Sequence, residues 1–218
     1  METGRGRGKG VVSTQKGASQ RAFYIAVVLL LVAGIGTLSY MSTRPAPGAR
    51  IDTTLAPIPN TGHVMGSDSA LVEVVEFGDF ECPGCGSFAN LTEPDVRARL
   101  VNTGLIRFRF MDFPLDIHPN TRTAHLASWC AGEQGRYWEM HDVIFQNQDR
   151  WNTQATRRPD KILNDLARQV GVGMDRYQAC MDSPKYMPQI MSNVQVGASR
   201  GVGGTPTFFF GKRVYDRP

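Results

Sequence analysis

The sequence predicts an α/β domain that carries an all-helical insertion and stands behind one N-terminal transmembrane helix. Three features carry this reading: an uncharged apolar run over residues 22–41, two apolar strand-like segments separated by a helix-length stretch, and some 80 residues of helical spacing before a last apolar run. The 218-residue chain is long enough for one domain of ordinary size plus an appendage, and too short for two large enzyme domains. Its 23 glycines, 13 prolines and 20% charged residues lack the extremes that mark collagen, coiled coils or wholly disordered chains.

Formal net charge is +4, and residues 1–21 account for all of it: Arg5, Arg7, Lys9, Lys16 and Arg21 stand against Glu2. The remainder carries equal numbers of basic and acidic side chains. The basicity therefore sits in a Gly-rich tail that has no aromatic ring for base stacking, which argues against nucleic acid as a partner. Ala22 to Met41 is twenty residues without a charge, the length needed to cross bilayer hydrocarbon. A cleaved signal peptide is the competing reading, but this run exceeds the usual apolar core of such peptides. Five basic residues precede the span and only Arg44 and Arg50 closely follow it, which directs the N-terminus to the cytoplasm and everything after Met41 outside it. Residues 42–66, rich in Pro, Thr, Ala and Gly, read as an extended tether, and the soluble domain is expected from Ser67.

Ala70 to Phe77 is short, β-branched and almost wholly apolar, as a buried central strand requires. A helix is expected from about Cys82 to Val101, and Leu105 to Phe110, after an Asn-Thr-Gly turn, then completes a βαβ unit. An insertion at about residues 118–200 follows, with helices expected near 120–132, 135–148, 159–170, 173–182 and 185–199. Thr207 to Phe210 and Arg213 to Tyr215 read as two strands around a tight turn at Gly211-Lys212.

The chemistry lies where the first strand gives way to the helix, at Cys82-Pro83-Gly84-Cys85. Pro83 suits the first helical position, where its missing N–H would be unpaired anyway, so Cys82 becomes the N-cap. A thiolate there meets free amides and the positive end of the helix dipole, which lowers its pKa below about 8.5. Cys85 lies one turn on, on the same face and more enclosed, suited to resolving a mixed disulfide. Zinc would need further paired ligands, and Cys130, Cys180, His118, His125 and His141 show no such spacing. A Cys–His hydrolase is disfavoured because a second Cys three residues away would trap the nucleophile, and a purely structural disulfide would close too short a ring to stabilise much.

Val75 to Cys85, the stretch Trp129 to Asp142 and Gly201 to Phe208 together resemble bacterial DsbA-like thiol:disulfide oxidoreductases, over roughly residues 67–215. The resemblance implies a thioredoxin fold with a helical insertion. It also implies that Pro206 is cis and lies beside the active-site disulfide, that Thr205 offers backbone groups to an extended substrate, and that Glu76 is a semi-buried carboxylate able to exchange a proton with Cys85. The redox-active Cys82–Cys85 disulfide then replaces any cofactor, no metal is expected, and exported cysteine-containing proteins are the substrates. Reoxidation would fall to a quinone-linked membrane oxidase of the DsbB or vitamin-K-epoxide-reductase-like type. The sequence departs from the family at Gly84, where a polar residue would help the thiolate. It departs again after the last strand, where only Asp216-Arg217-Pro218 follow in place of a closing helix, so some sheet surface is expected to stay uncovered.

Cys130 and Cys180 remain once the catalytic pair is set aside, and an exported compartment favours their oxidation to a structural disulfide clamping the insertion. Two separate buried thiols are the rival reading. The expectation is thus a membrane-tethered extracytoplasmic thiol:disulfide oxidoreductase acting as an oxidase. A reductant or isomerase for exported or cytochrome-maturation proteins, or a redox-inactive binding module on the same scaffold, stays open.

Overall fold

The computed structural model describes residues 16–43, 58–59 and 61–212. Most of the expected basic tail and tether, and the expected strand 213–215 with the residues after it, lie outside the described residues. The chain divides into two units, Met1–Arg50 and Ile51–Pro218.

The first unit holds helix α1, Lys16–Thr43. Its described side chains include Phe23, Leu29, Leu30 and Ile35, all about two-thirds exposed. The side chains of residues 16–20, 38 and 41–43 lie outside the described residues. Among the described residues, no helix is long and apolar enough to cross a membrane.

The second unit is built on a four-stranded sheet in the order β1-β3-β2-β4, comprising β1 (His63–Met65), β2 (Val72–Gly78), β3 (Ile106–Asp112) and β4 (Thr207–Lys212). β2 and β3 run parallel, from Val72 opposite Ile106 to Gly78 opposite Asp112, as a helical crossover requires. β1 pairs antiparallel with β3, and β4 antiparallel with β2. Two expectations are corrected here. The tether expected over 42–66 contains β1, so the domain starts earlier than Ser67. Gly211-Lys212, expected as a tight turn, continues β4, with Gly211 opposite Glu73 and Lys212 opposite Val72. Ladder bonds to β2 outweigh the turn preference of a single Gly.

Between β2 and β3 the expected single helix is a composite: α2 (Pro83–Ser87), a π-helical turn (Phe88–Thr92), α3 (Glu93–Val96) and a second π-helical turn (Arg97–Val101). The insertion contains α4 (Thr121–Gly132), α5 (Tyr137–Gln146), α6 (Gln148–Trp151), α7 (Asp160–Gln169), α8 (Met174–Met181) and α9 (Met187–Ser199). The helix expected at 135–148 is interrupted at Asn147, where the backbone leaves helical values. The amide of Asn147 still bonds back to Val143 and Ile144, and the chain restarts as α6.

Alternation along β2 sends Val75 and Phe77 to one face, against Met111, Phe113, Val202 and residues of α9. Val74 goes to the other, with Val101, Ile106 and Phe108. A larger cluster joins Phe80, Cys82, Cys85 and Phe110 to the insertion through Met140, Ile144, Phe145 and Trp151. Each of these large side chains contributes about 2 kcal/mol on burial, so the insertion is packed as part of the core that holds the cysteines. Gly62 shows how closely β1 approaches β3: φ is +84°, and a Cβ there would clash with the Phe110 carbonyl. The Cys130 and Cys180 sulfurs are 1.99 Å apart with Cα atoms at 5.6 Å, a disulfide joining α4 to α8 across 50 positions.

Candidate active site

The last residues of β2 carry the chain to the cysteines. A hydrogen bond from the Cys82 amide to the Asp79 carbonyl, at 3.1 Å, turns the chain after Gly78. Cys82 then has extended backbone angles, φ −70° and ψ 124°, with Pro83 entering α2 behind it. That is the N-cap geometry in which an imide nitrogen sacrifices no hydrogen bond.

The two thiols are unbridged and differ sharply in acidity. Cys82 is lowered to about 5, chiefly by a hydrogen bond from the Cys85 thiol; burial opposes the shift, and the Thr205 side chain and the amides of Cys85 and Gly84 add to it. The Thr205 carbonyl accepts from the Cys82 thiol at 3.3 Å, and the buried Thr205 hydroxyl, which has no partner among the described residues while that thiol is protonated, favours the thiolate. Cys85 is pushed upward by the same hydrogen bond to Cys82, by burial and by Glu76, against a weaker contribution from the Asp79 amide, which donates to its sulfur at 3.5 Å. Cys85 is enclosed as its place in the helix suggests, and Cys82 is more enclosed than an N-cap position suggests. Cys82, expected as an exposed nucleophile, is 8% exposed and Cys85 not at all, because Phe80, Phe145 and the insertion close over the loop.

Thr205-Pro206 is a cis peptide and packs on the site. A Cβ at Gly84 would lie 3.2 Å from Pro206 Cδ and 3.6 Å from Cys82 Sγ. Gly84 therefore fits closely under the proline loop, and the polar group missing at this position is replaced by the contacts of Thr205 and the α2 amides. Glu76 lies on β2 and is 1% exposed. Its carboxyl pKa is raised well above the usual range by burial, then by Glu93 and Cys82. Cys130 and Cys180 stand apart from this constellation, in the bridge already described.

Several residues that shape the loop were not singled out from sequence. Asp79 is wholly buried and accepts from the Glu81 amide at 2.7 Å, the Leu115 amide at 2.9 Å and the Thr121 hydroxyl, and pairs with His118 at 2.7 Å. Glu81 accepts from the amides of Asn120, at 2.9 Å, and Thr153. Gln148 donates to the carbonyls of Phe80, at 2.7 Å, and Cys82, at 2.9 Å. Sheet end, loop and insertion are thus stitched together by side-chain acceptors and donors. The available signal was three acids, Glu76, Asp79 and Glu81, in a segment otherwise apolar enough to be buried.

Glu93, His141 and Asp142 bring ligand-type atoms within 4.8 Å of one another. Arg97 donates to Glu93 and Asp142, at 2.6 Å to each, and supplies the positive charge of that cluster.

A loop with an acidic thiol, a buried partner thiol one helical turn on, and a cis-proline segment packed beside the first thiol forms a candidate dithiol site at the end of β2. The chain belongs to the thioredoxin family: the family model described as Thioredoxin matches residues 59–218. A Rickettsia typhi protein provisionally named protein-disulfide oxidoreductase is 27% identical over 153 residues, covering 70% of this chain and 55% of that protein. The Na(+)/H(+) antiporter NhaA 3 of Salinispora tropica is 33% identical over 211 residues, 88% of this chain and 31% of the antiporter. The chain thus spans about a third to a half of these curated relatives. Among solved structures, a variant of alpha-DsbA1 from Wolbachia pipientis superposes with a TM-score of 0.63 at 25% identity, covering 72% of this chain and 77% of the other. BdbD from Bacillus subtilis, in its oxidised form, gives 0.58 at 24% identity, covering 71% and 83%.

Proposed function

We propose that this chain is a membrane-tethered, extracytoplasmic thiol:disulfide oxidoreductase that accepts electrons from exported proteins through Cys82 and Cys85. The observation that carries the reading is the asymmetry of the pair: Cys82 is held as an acidic thiol at about 5, while burial and neighbouring charge keep the proton on Cys85. A stabilised Cys82 thiolate favours the dithiol over the disulfide, and a couple with a favoured reduced form is an oxidant. In the forward reaction a substrate thiolate attacks Cys82 Sγ of the Cys82–Cys85 disulfide, and Cys85 leaves. A second substrate thiolate then attacks the substrate sulfur of the mixed disulfide and releases Cys82 as its stable thiolate. The substrate is oxidised by two electrons and the couple reduced by two.

Thr205 and Pro206, beside Cys82, suit an extended substrate segment, and Glu76 suits proton exchange with Cys85. The tether is read from the charge-free stretch 22–41 and the basic residues before it, with a quinone-linked membrane oxidase reoxidising the pair. Replacing Cys85 with Ser tests the reading: full-length protein should accumulate mixed disulfides through Cys82 with exported proteins. Trapping by the Cys82→Ser variant instead would reverse the roles. A couple more reducing than about −250 mV, in the range of thioredoxin, would make the protein a reductant.

A further inference from the structure

Asp79, placed between β2 and Cys82, engages every polar group it has, and its amide is directed at the buried thiol. That amide donates to Cys85 Sγ at 3.5 Å, and the Asp79 carbonyl accepts from the Cys82 amide at 3.1 Å. The peptide unit that carries the donor is fixed at its other end as well, because the Gly78 carbonyl accepts from the Phe113 amide at 2.8 Å. A trans peptide is planar with its N–H and C=O opposed, so pinning the oxygen aims the N–H. Gly78 lets this peptide lie against the Phe110 ring, where a Cβ would come to 2.3 Å.

The carboxylate completes the clamp. It is wholly buried and accepts from the Glu81 amide at 2.7 Å, the Leu115 amide at 2.9 Å and the Thr121 hydroxyl, with His118 Nδ1 at 2.7 Å. These contacts come from the cysteine loop, from the segment after β3 and from α4, so the residue is held from three sides. A carboxylate in this place carries a desolvation cost that an apolar side chain would avoid, and its charge opposes negative charge on the nearby sulfur. The compensation lies in what it holds in place.

We propose that the Asp79 amide is the donor that receives the Cys85 thiolate during disulfide exchange, and that the Asp79 carboxylate and Thr121 are the positioning groups that aim it. The inference rests on the exchange reaction proposed above. In the reduced protein Cys85 and Cys82 share a hydrogen bond. In the mixed disulfide Cys82 Sγ is bonded to the substrate sulfur and carries neither proton nor charge, so that bond is lost while the Asp79 N–H stays. When a substrate thiolate attacks Cys82 Sγ, the Cys82–Cys85 bond breaks and its electron pair goes to Cys85 Sγ, towards which the Asp79 N–H is directed. In the reverse direction Cys85 attacks Cys82 Sγ and the substrate thiolate leaves. A dipole fixed beforehand needs no reorganisation as charge develops, which suits a sulfur enclosed by protein.

The test uses full-length protein in detergent micelles, reduced at Cys82 and Cys85 and mixed near neutral pH with an equimolar amount of dithiobis(nitrobenzoate). Cys82 attacks one sulfur of the reagent and releases a first thionitrobenzoate. Cys85 then attacks Cys82 Sγ, closes the Cys82–Cys85 bond and releases the second. Stopped-flow absorbance separates the two releases. Asp79→Asn keeps the size of the side chain but turns an NH2 against groups that donate. A hydrogen bond to a charged group supplies about tenfold or more, and the greater nucleophilicity of a more basic thiolate returns part of it. The second release should therefore slow about three- to tenfold, with the first changed less than about twofold. Thr121→Val should slow the second release about two- to threefold, and Thr121→Ser, which keeps the hydroxyl, should leave it near wild type. An unchanged second release would overturn the proposal. So would a faster one, which would mean that the carboxylate acts through its charge alone. Equal slowing of both releases would overturn it too, since a loosened loop spares neither thiol. If Asp79→Asn does not fold, the two Thr121 variants decide. A wild-type protein that completes both releases yet never oxidises a dithiol peptide would sink the function proposed above and leave this comparison standing.

Discussion

Replacing Thr205 with Val removes one of the groups that hold the Cys82 thiolate, and its effect can be worked through from the site. With the Cys82 thiol lowered to about 5, the reduced protein at pH 7 carries roughly 100 thiolates per thiol. That stabilises the reduced form by about 2.7 kcal/mol over a thiol that stays protonated, at about 1.36 kcal/mol per pH unit. For a two-electron couple this is about 60 mV of added oxidising strength. A hydrogen bond to a charged group contributes about 1.5–3 kcal/mol, and Thr205 ranks behind the Cys85 thiol as a donor. The low end, about one pH unit, is therefore appropriate. Thr205→Val should move the 240 nm midpoint of reduced protein from about 5 to about 6 and make the potential about 30 mV more negative. The pH dependence has the same origin. Between the midpoints of Cys82 and Cys85, reduction takes up one proton per two electrons, and the potential should fall by about 30 mV per pH unit; below the Cys82 midpoint it takes up two and should fall by about 59 mV. The sign for stability follows. The Cys82 pKa is depressed by folding, so its contribution to the reduced protein is complete above about 8.5 and is lost as pH falls towards 5. A wild-type midpoint near 8.5, or a slope of about 59 mV persisting to pH 8, would refute the reasoning.

Cys130→Ala with Cys180→Ala opens a 50-residue link and should cost about 4 kcal/mol on the chain-closure model, read as a lower Tm, with the initial rate of disulfide exchange changed much less. Gly197→Ala places a methyl 2.7 Å from the Phe113 ring and 2.9 Å from Phe77; overpacking of this kind costs about 1–3 kcal/mol, and an unchanged denaturation midpoint would show that α9 moves freely. His63 is stacked on Tyr137 at 3.3 Å and burial lowers it to about 4, so unfolded chains bind a proton that the native protein excludes. Stability should therefore be complete above about 6.5 and decline as pH falls towards 4. His63→Phe should flatten that decline in a series of thermal melts.

How legible this fold was depends on whether each signal is local. β2 is a run of apolar and β-branched residues, and it was readable because burial on both faces leaves no room for alternation. The insertion helices were readable to within a few residues because each buries one stripe. β1 was not, since His63, Val64 and Met65 carry no period in so short a piece, and the strand exists only because Arg109 and its neighbours on β3 offer an edge. Gly211-Lys212 failed for the complementary reason: a local turn preference lost to pairing with residues far away in the chain. The π-helical turns at Phe88 and Arg97 leave no mark in composition.

The candidate cysteine site was legible in the placement of its two thiols and opaque in its support. A thiol before a proline at the end of a strand specifies an N-cap from bond geometry alone, so the order of roles within the pair follows from neighbours in sequence. The acidity of that thiol is set elsewhere, by Thr205 in a loop beyond the insertion and by Cys85 as donor. The loop itself is held by Gln148 of α6 and by Asp79 and Glu81, which bond into the chain around residues 115–121 and Thr153. Glu76 was visible because a carboxylate in a buried strand must find compensation or hold its proton. What the strand alone could not disclose is that Glu93 adds to its burden, since Glu93 reads in sequence as an ordinary helix-start acid. Burial and Glu93 together favour the protonated form of Glu76, which spares this dry interior a carboxylate charge that the strand has no partner among the described residues to offset.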